Sequence, residues 1–175
     1  MEKWDVYDEK RNPLNRTHTR GTEMVLGENH IVVDIWTVNS DREILLTLRD
    51  PDKEIYPDLW ENTGGSIVTG ETSRSGAVRE LFEETGIHAK EEELVFLGTK
   101  KEVTAFVDTY IVRKDLSLSE LTMQKGETAD AKWVTIHQLD KMIENGEIAS
   151  PVAERLEPIR RNFEDFLFDS GADEA

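Results

Sequence analysis

Residues 65–87, GSIVTGETSRSGAVRELFEETGI, decide the fold. They read as a turn-prone loop followed by a helix. Gly64, Gly65 and Gly70 punctuate the loop, Thr72 is placed to cap the helix N-terminus, and Gly86 stands where a left-handed C-terminal residue is wanted. Between the caps, Glu80, Glu83 and Glu84 are spaced i, i+3 and i+4, so three carboxylates share one helical face. Ser73, Gly76 and Ala77 fall on that face one to two turns earlier and leave room in front of it. Val78, Leu81 and Phe82 are expected to point the other way, toward a core.

Like charges at this spacing cost a helix a few tenths of a kcal/mol per pair, and more when partly buried. No lysine stands among them. Two readings are open on spacing alone: a site for a hard divalent cation that keeps positions for water and substrate phosphate, or a solvated acidic face. The wider pattern favours the first. Gly65, five residues, Glu71, seven residues, then Arg79-Glu80-Leu81-Phe82-Glu83-Glu84-Thr85-Gly86-Ile87 resembles, without departure, the box that defines the Nudix hydrolases. Chance gives such a match on the order of once in 10⁹ starting points.

The resemblance implies an α/β (α+β) fold, a mixed β-sheet in an α/β/α sandwich, over roughly residues 30–145. It implies Mg²⁺ or Mn²⁺ gripping a diphosphate while water attacks phosphorus. By position, Glu80, Glu83 and Glu84 match the metal-binding carboxylates, and the Gly64 carbonyl matches a backbone ligand ahead of the box. Arg79 and Glu71 match the pair that orients helix against loop from behind the metal. Glu127, six residues before Trp133, matches a further metal-binding or base carboxylate of MutT-like members. Glu83 and Glu127 are both candidates for the general base. The implied substrate is a nucleoside diphosphate linked to another moiety.

Composition agrees. At 175 residues and 37% hydrophobic, the chain is one domain with enough apolar matter for a core. A formal charge of −16 argues against nucleic-acid polymers and anionic membrane as partners, but not against a small phosphorylated substrate once cations are bound. With no cysteine, thiol chemistry and disulfides are out of reach. No apolar run approaches the ~20 residues of a membrane span, and the acidic start does not read as a signal peptide, so a cytoplasmic protein is expected.

Outside the box, residues 4–7 alternate like a short strand and 8–13 read as a turn. Residues 14–22, LNRTHTRGT, read as a polar loop in which Arg16, His18 and Arg20 either meet a phosphate or pair with an acidic body. Residues 30–38 and 43–49 read as a hairpin, 50–58 as a loop, and 59–60 as the start of a strand entering the glycines. Strands follow over 94–99, 105–113 and 131–134, with helices over 137–144 and 151–169. Residues 170–175 read as a frayed tail. Trp60 is either a pocket wall or a core residue. Residues 1–29 and the last helix lie outside the common core, and either is available for homodimerisation.

Trp4 to Asp8, Asn12-Pro13-Leu14, His18 and Leu59 to Thr63 are also similar to the Nudix subgroup that includes isopentenyl-diphosphate isomerase. That enzyme needs a cysteine and a histidine metal ligand. Here Gly65 and Ile67 stand at those places. A non-catalytic nucleotide-sensing module is the other alternative, but such modules lose box carboxylates and this chain keeps all three. The markers of ADP-ribose, dinucleoside-polyphosphate and coenzyme A members are missing, so the substrate stays open.

Overall fold

The computed structural model describes residues 1–169. In chain order its strands are β1 (Lys3–Tyr7), β2 (Pro13–Thr19), β3 (His30–Val38), β4 (Ile44–Arg49), β5 (Trp60–Glu61), β6 (Thr63–Ser66), β7 (Val95–Lys101), β8 (Ala105–Arg113) and β9 (Thr128–Val134). The helices are α1 (Ser73–Thr85), α2 (Ile136–Glu144), α3 (Ser150–Leu156) and α4 (Arg160–Phe168).

β3 is the axis. Its side chains alternate between two cores: Ile31, Val33 and Ile35 join the cluster under α1, while Trp36 and Val38 join the cluster under α2, α3 and α4. β3 runs parallel to β8 from His30↔Ala105 to Val38↔Arg113, and antiparallel to β6 on its other edge. β7 closes that side against β8. β4 meets β3 at Val38↔Ile44 and then pairs with β5 and β9. A mixed sheet therefore lies between two helical layers, as expected. Trp36 and Phe163, both fully buried, meet edge-on at 5.1 Å and lock α4 to the sheet.

The caps of α1 form as read. Thr72 accepts from the Ser75 amide while Ser75 Oγ accepts from the Thr72 amide, and Gly86 (φ 75°) closes the C-terminus on the Phe82 carbonyl. The buried stripe, however, is Gly76, Ala77, Leu81 and Thr85. Gly76 and Ala77 do not leave space before the carboxylates. They let α1 sit close on the chain just after β6, where a Cβ on Gly76 would lie 2.2 Å from Ile67 Cδ1. Phe82, one residue and about 100° beyond Leu81, is left exposed and packs on His88.

Two further expectations change. Residues 14–22 are not a loop, since 13–19 form β2, paired with β1 from Lys3↔Thr19 to Tyr7↔Pro13. This strand is mostly exposed, so no apolar alternation marks it, and its order comes from its partner. The helix expected over 151–169 breaks into α3, a 3-10 turn (Glu157–Ile159) and α4. Pro158 has no N–H and crowds the Glu154 carbonyl one turn back, which instead accepts from Lys100 Nζ at 3.0 Å. The frayed tail at 170–175 lies outside the described residues.

The β1–β2 hairpin is fastened to the sandwich. Tyr7 and Asn29 exchange backbone hydrogen bonds, the Thr69 amide donates to Lys3, the Gly70 amide donates to Asp5, and Trp4 stacks on His30 at 4.0 Å. Burial and the nearby His18 hold His30 down at about 4, opposed by Glu2 and Glu102. A base depressed in the folded state is protonated first in the unfolded chain. Its contribution is therefore present above about 6.5 and lost as pH falls toward 4. His30→Phe keeps a ring on Trp4 and removes a buried Nδ1 that has no hydrogen-bond partner. Denaturant midpoints should diverge in favour of His30→Phe between pH 6.5 and 4, and parallel profiles would reject this account.

Candidate active site

The loop through β6 and the carboxylate face of α1 meet the β4–β5 edge around a cavity of about 350 Å³. Gly64, Glu80, Glu83, Glu84 and Glu127 all line it. Glu71 lies behind them. Its carboxylate accepts from the Val68 amide at 3.1 Å and from Arg79 Nε and Nη2 at 2.7 and 2.9 Å. Arg79 also donates to the Ser66 carbonyl, to Glu80 at 2.9 Å and to Glu83 at 3.0 Å. One guanidinium thus ties the loop to the helix and compensates two box carboxylates. Arg79 is held firmly protonated, first by Glu71 and then by Glu80.

Glu84 is different. Its surface is half-buried, but its carboxyl is enclosed, and it has no cationic partner among the described residues. Burial pushes its proton affinity well up, and the charges of Glu61, Glu80 and Glu127 push the same way. A backbone hydrogen bond with Gly64 opposes them. Glu80 is also raised by burial, with Arg79 pulling it down. In this arrangement no three His, Cys, Asp or Glu side chains among the described residues converge tightly enough to hold a metal ion. Arg79 holds Glu80 and Glu83, and Lys53 holds Glu127. The donor set itself, hard oxygens around an uncompensated enclosed carboxylate, fits a hard divalent cation.

Three cations stand on the remaining walls, each parked on a carboxylate. Arg49 forks onto Glu61 at 2.8 and 2.9 Å, Lys53 pairs with Glu127, and Arg20 of the hairpin region pairs with Glu2 at 2.9 Å. Of the three candidates in residues 14–22, Arg20 alone lines the cavity. Arg16 pairs with Glu28, and His18 stacks on Trp4 and contacts Thr22. Trp60 packs against the α2–α4 core under Lys132 rather than lining the cavity. Sequence reasoning missed Glu2, Arg49, Lys53 and Glu61. Only Glu61 left a trace, as a charged residue in a strand between Trp60 and the glycines.

The chain is similar to known proteins along most of its length. The family model of the NUDIX domain matches residues 28–156. An uncharacterized Nudix hydrolase of Listeria monocytogenes is 37% identical over 153 residues, covering 84% of this chain and 88% of that protein. A crystal structure of a Deinococcus radiodurans protein superimposes with a TM-score of 0.73 at 22% identity, covering 91% of this chain and 98% of that one, a likeness of fold. A Francisella tularensis bifunctional NMN adenylyltransferase/ADP ribose pyrophosphatase, complexed with AMP and a Mn ion, shares the fold at a TM-score of 0.60 and 24% identity, over 77% of this chain and 42% of that one.

Proposed function

This chain belongs to the Nudix hydrolase family, and from that premise we propose that it is a Mg²⁺- or Mn²⁺-dependent hydrolase. Its substrate in this reading is a nucleoside diphosphate linked to another moiety, cleaved by water attack on phosphorus. The observation that carries the proposal is Glu84, an enclosed carboxylate facing three others with no cation of its own. Such a charge is kept at a cost unless something positive joins it.

Glu80, Glu83, Glu84, Glu127 and the Gly64 carbonyl are the groups that would hold the metal. When bound, the ion would screen the diphosphate and acidify the attacking water. The chain's own residues do the rest. In this reading Glu83 or Glu127, the more exposed carboxylates at 47% and 40%, takes the proton from water at a carboxylate oxygen. Arg79, anchored by Glu71, keeps Glu80 and Glu83 oriented. Arg49, Lys53 and Arg20 offer guanidinium and ammonium donors to phosphate oxygens, each leaving its parked carboxylate as the phosphate arrives. Residues 1–29 act in this reading as an extension that adds Arg20 to a single Nudix domain.

A product-release screen tests the proposal. Nucleotides, nucleotide sugars, dinucleoside polyphosphates and isoprenoid diphosphates are supplied with Mg²⁺ or Mn²⁺. Turnover of one nucleotide class, abolished by chelation, is expected. Tight nucleotide binding without turnover would put the sensing-module reading first. On the substrate so found, Arg20→Ala should raise KM by about three- to tenfold with kcat kept, since an exposed pair contributes modestly. An unchanged KM removes Arg20 from the site.

A further inference from the structure

We infer that Glu2, the carboxylate just ahead of β1, is a specificity-determining residue: it favours a diphosphate whose outer substituent is neutral and hydroxyl-bearing, and disfavours one extended by a further phosphate. This rests on the hydrolase reading above and goes on to the side chain that chooses among its substrates.

Glu2 lines the catalytic cavity with Arg20, Arg79 and Glu80, yet it belongs to the extension ahead of the common core. Its Oε1 accepts from Trp4 Nε1 at 2.6 Å and its Oε2 from Arg20 Nη1 at 2.9 Å, while its carbonyl accepts from the Arg20 amide at 3.0 Å. The Trp4 ring stacks on both His18 and His30. The hairpin behind them is fastened at two places. The Lys3 carbonyl and the Asp5 carboxylate accept from the amides of Thr69 and Gly70 in the loop before α1, and Arg11 forks onto the buried Asp108. Burial pushes the Glu2 carboxyl up, but the hydrogen bonds from Trp4 and Arg20 outweigh it and hold the group below its ordinary range, a fixed anion. At Glu80, raised first by burial, the Glu2 charge pushes the same way, so its field reaches the box.

A fixed anion on the wall of a phosphate-binding cavity weakens every phosphate that comes near it, so its use there is to discriminate. A bound metal would neutralise the two phosphoryl groups it grips. A third phosphoryl group reaching the hairpin wall would meet Glu2 with no ion between them. The same side chain rewards a different neighbour. As Arg20 turns from Glu2 to a phosphate oxygen, Oε2 is freed while Oε1 keeps the Trp4 N–H. An ionised carboxylate only accepts, so the freed oxygen is satisfied by a hydroxyl of a sugar or other polyol and not by a phosphate oxygen. An ordinary surface ion pair does not explain the arrangement, because it needs neither an indole donor nor a place on the cavity wall.

The test measures kcat/KM with Mg²⁺ for nucleoside diphosphate sugars and nucleoside triphosphates matched in base, on the unsubstituted chain, Glu2→Gln and Glu2→Lys. Gln keeps the size and an acceptor for Trp4 and removes the charge. The unsubstituted chain should favour the sugar-bearing substrate. Glu2→Gln should shift the ratio of the two about tenfold toward the triphosphate, the effect of one partly screened charge pair, and Glu2→Lys should shift it further. The preference of the unsubstituted chain should also narrow as salt is raised. A preference for the triphosphate from the start overturns the inference. So does a Glu2→Gln that changes both rates in parallel, as loss of a hairpin anchor or of a metal ligand would. If neither variant folds, the salt series decides: a narrowing ratio supports the inference and an unmoved one overturns it. Turnover of neither substrate, with another diphosphate cleaved, overturns the inference and leaves the hydrolase reading standing. Failure to cleave any diphosphate with Mg²⁺ or Mn²⁺ overturns the hydrolase reading beneath it.

Discussion

Glu84→Gln should lower kcat/KM by at least about 10²-fold and, in metal-free buffer, raise the thermal midpoint. The two effects have one cause. Gln keeps the shape and the backbone contact with Gly64 but removes a charge that Glu61, Glu80 and Glu127 all oppose. A carboxyl whose folded value lies above its ordinary 4.5 contributes stability that is present below 4.5 and is lost as pH rises through the folded value. The midpoint advantage of Glu84→Gln in metal-free buffer should therefore open above pH 4.5 and widen upward. If the proposed metal site is right, added Mg²⁺ or Mn²⁺ should reverse the order, because a bound ion would stabilise the unsubstituted chain by mass action and would find one of its ligands missing in the variant. Melting curves with and without metal, beside the rates, give both halves. Retained activity would sink the metal reading. A lower metal-free midpoint would show instead that Glu84 already has its compensating partner.

What could be read from sequence was whatever the chain must satisfy locally. The caps at Thr72 and Gly86 answer to backbone groups within a few residues, and β3 announces itself through nine residues of β-branched and aromatic side chains. The carboxylate face of α1 is legible for the same reason, since helical spacing alone puts Glu80, Glu83 and Glu84 together. The cationic half of the site is not of this kind. Arg49 ends β4, Lys53 sits in the following loop, and Arg20 follows a hairpin far upstream; only tertiary packing brings them to one cavity. β2 was missed because its partner, not its own pattern, makes it a strand. The break in the last helix is a local matter too, since Pro158 interrupts an otherwise amphipathic pattern from within. Phe82 shows the limit of hydropathy on a short helix, where the side that docks is chosen by close approach through Gly76 and Ala77, not by the largest side chain.

Gly65→Ala is the sharpest probe of how tightly the site is packed. The three atoms nearest to a Cβ on Gly65 would be the carboxyl atoms of Glu80, at 2.2 to 2.4 Å. At the neighbouring Gly64 the obstacle is backbone, the Val33 carbonyl at 2.9 Å, which has no rotamer to change. Glu80, by contrast, is a flexible side chain and swings aside. In doing so it breaks its 2.9 Å bond with Arg79 and leaves the cavity wall it shares with Glu83 and Glu84. Little is lost in folding: one partly exposed ion pair goes, and alanine restricts the unfolded chain by about 0.4–1 kcal/mol, which offsets it. In the proposed reaction catalysis has no such offset, because an oxygen ligand moved by an ångström or more would no longer meet an ion held by its neighbours. The expected result is a thermal midpoint within about 2 °C of the unsubstituted chain and a kcat down by about 10²-fold. Circular dichroism melts beside steady-state rates make the comparison. Full activity would mean that Glu80 works from another position. A large drop in midpoint would mean that Arg79 and Glu80 cannot part and that the loop itself has shifted.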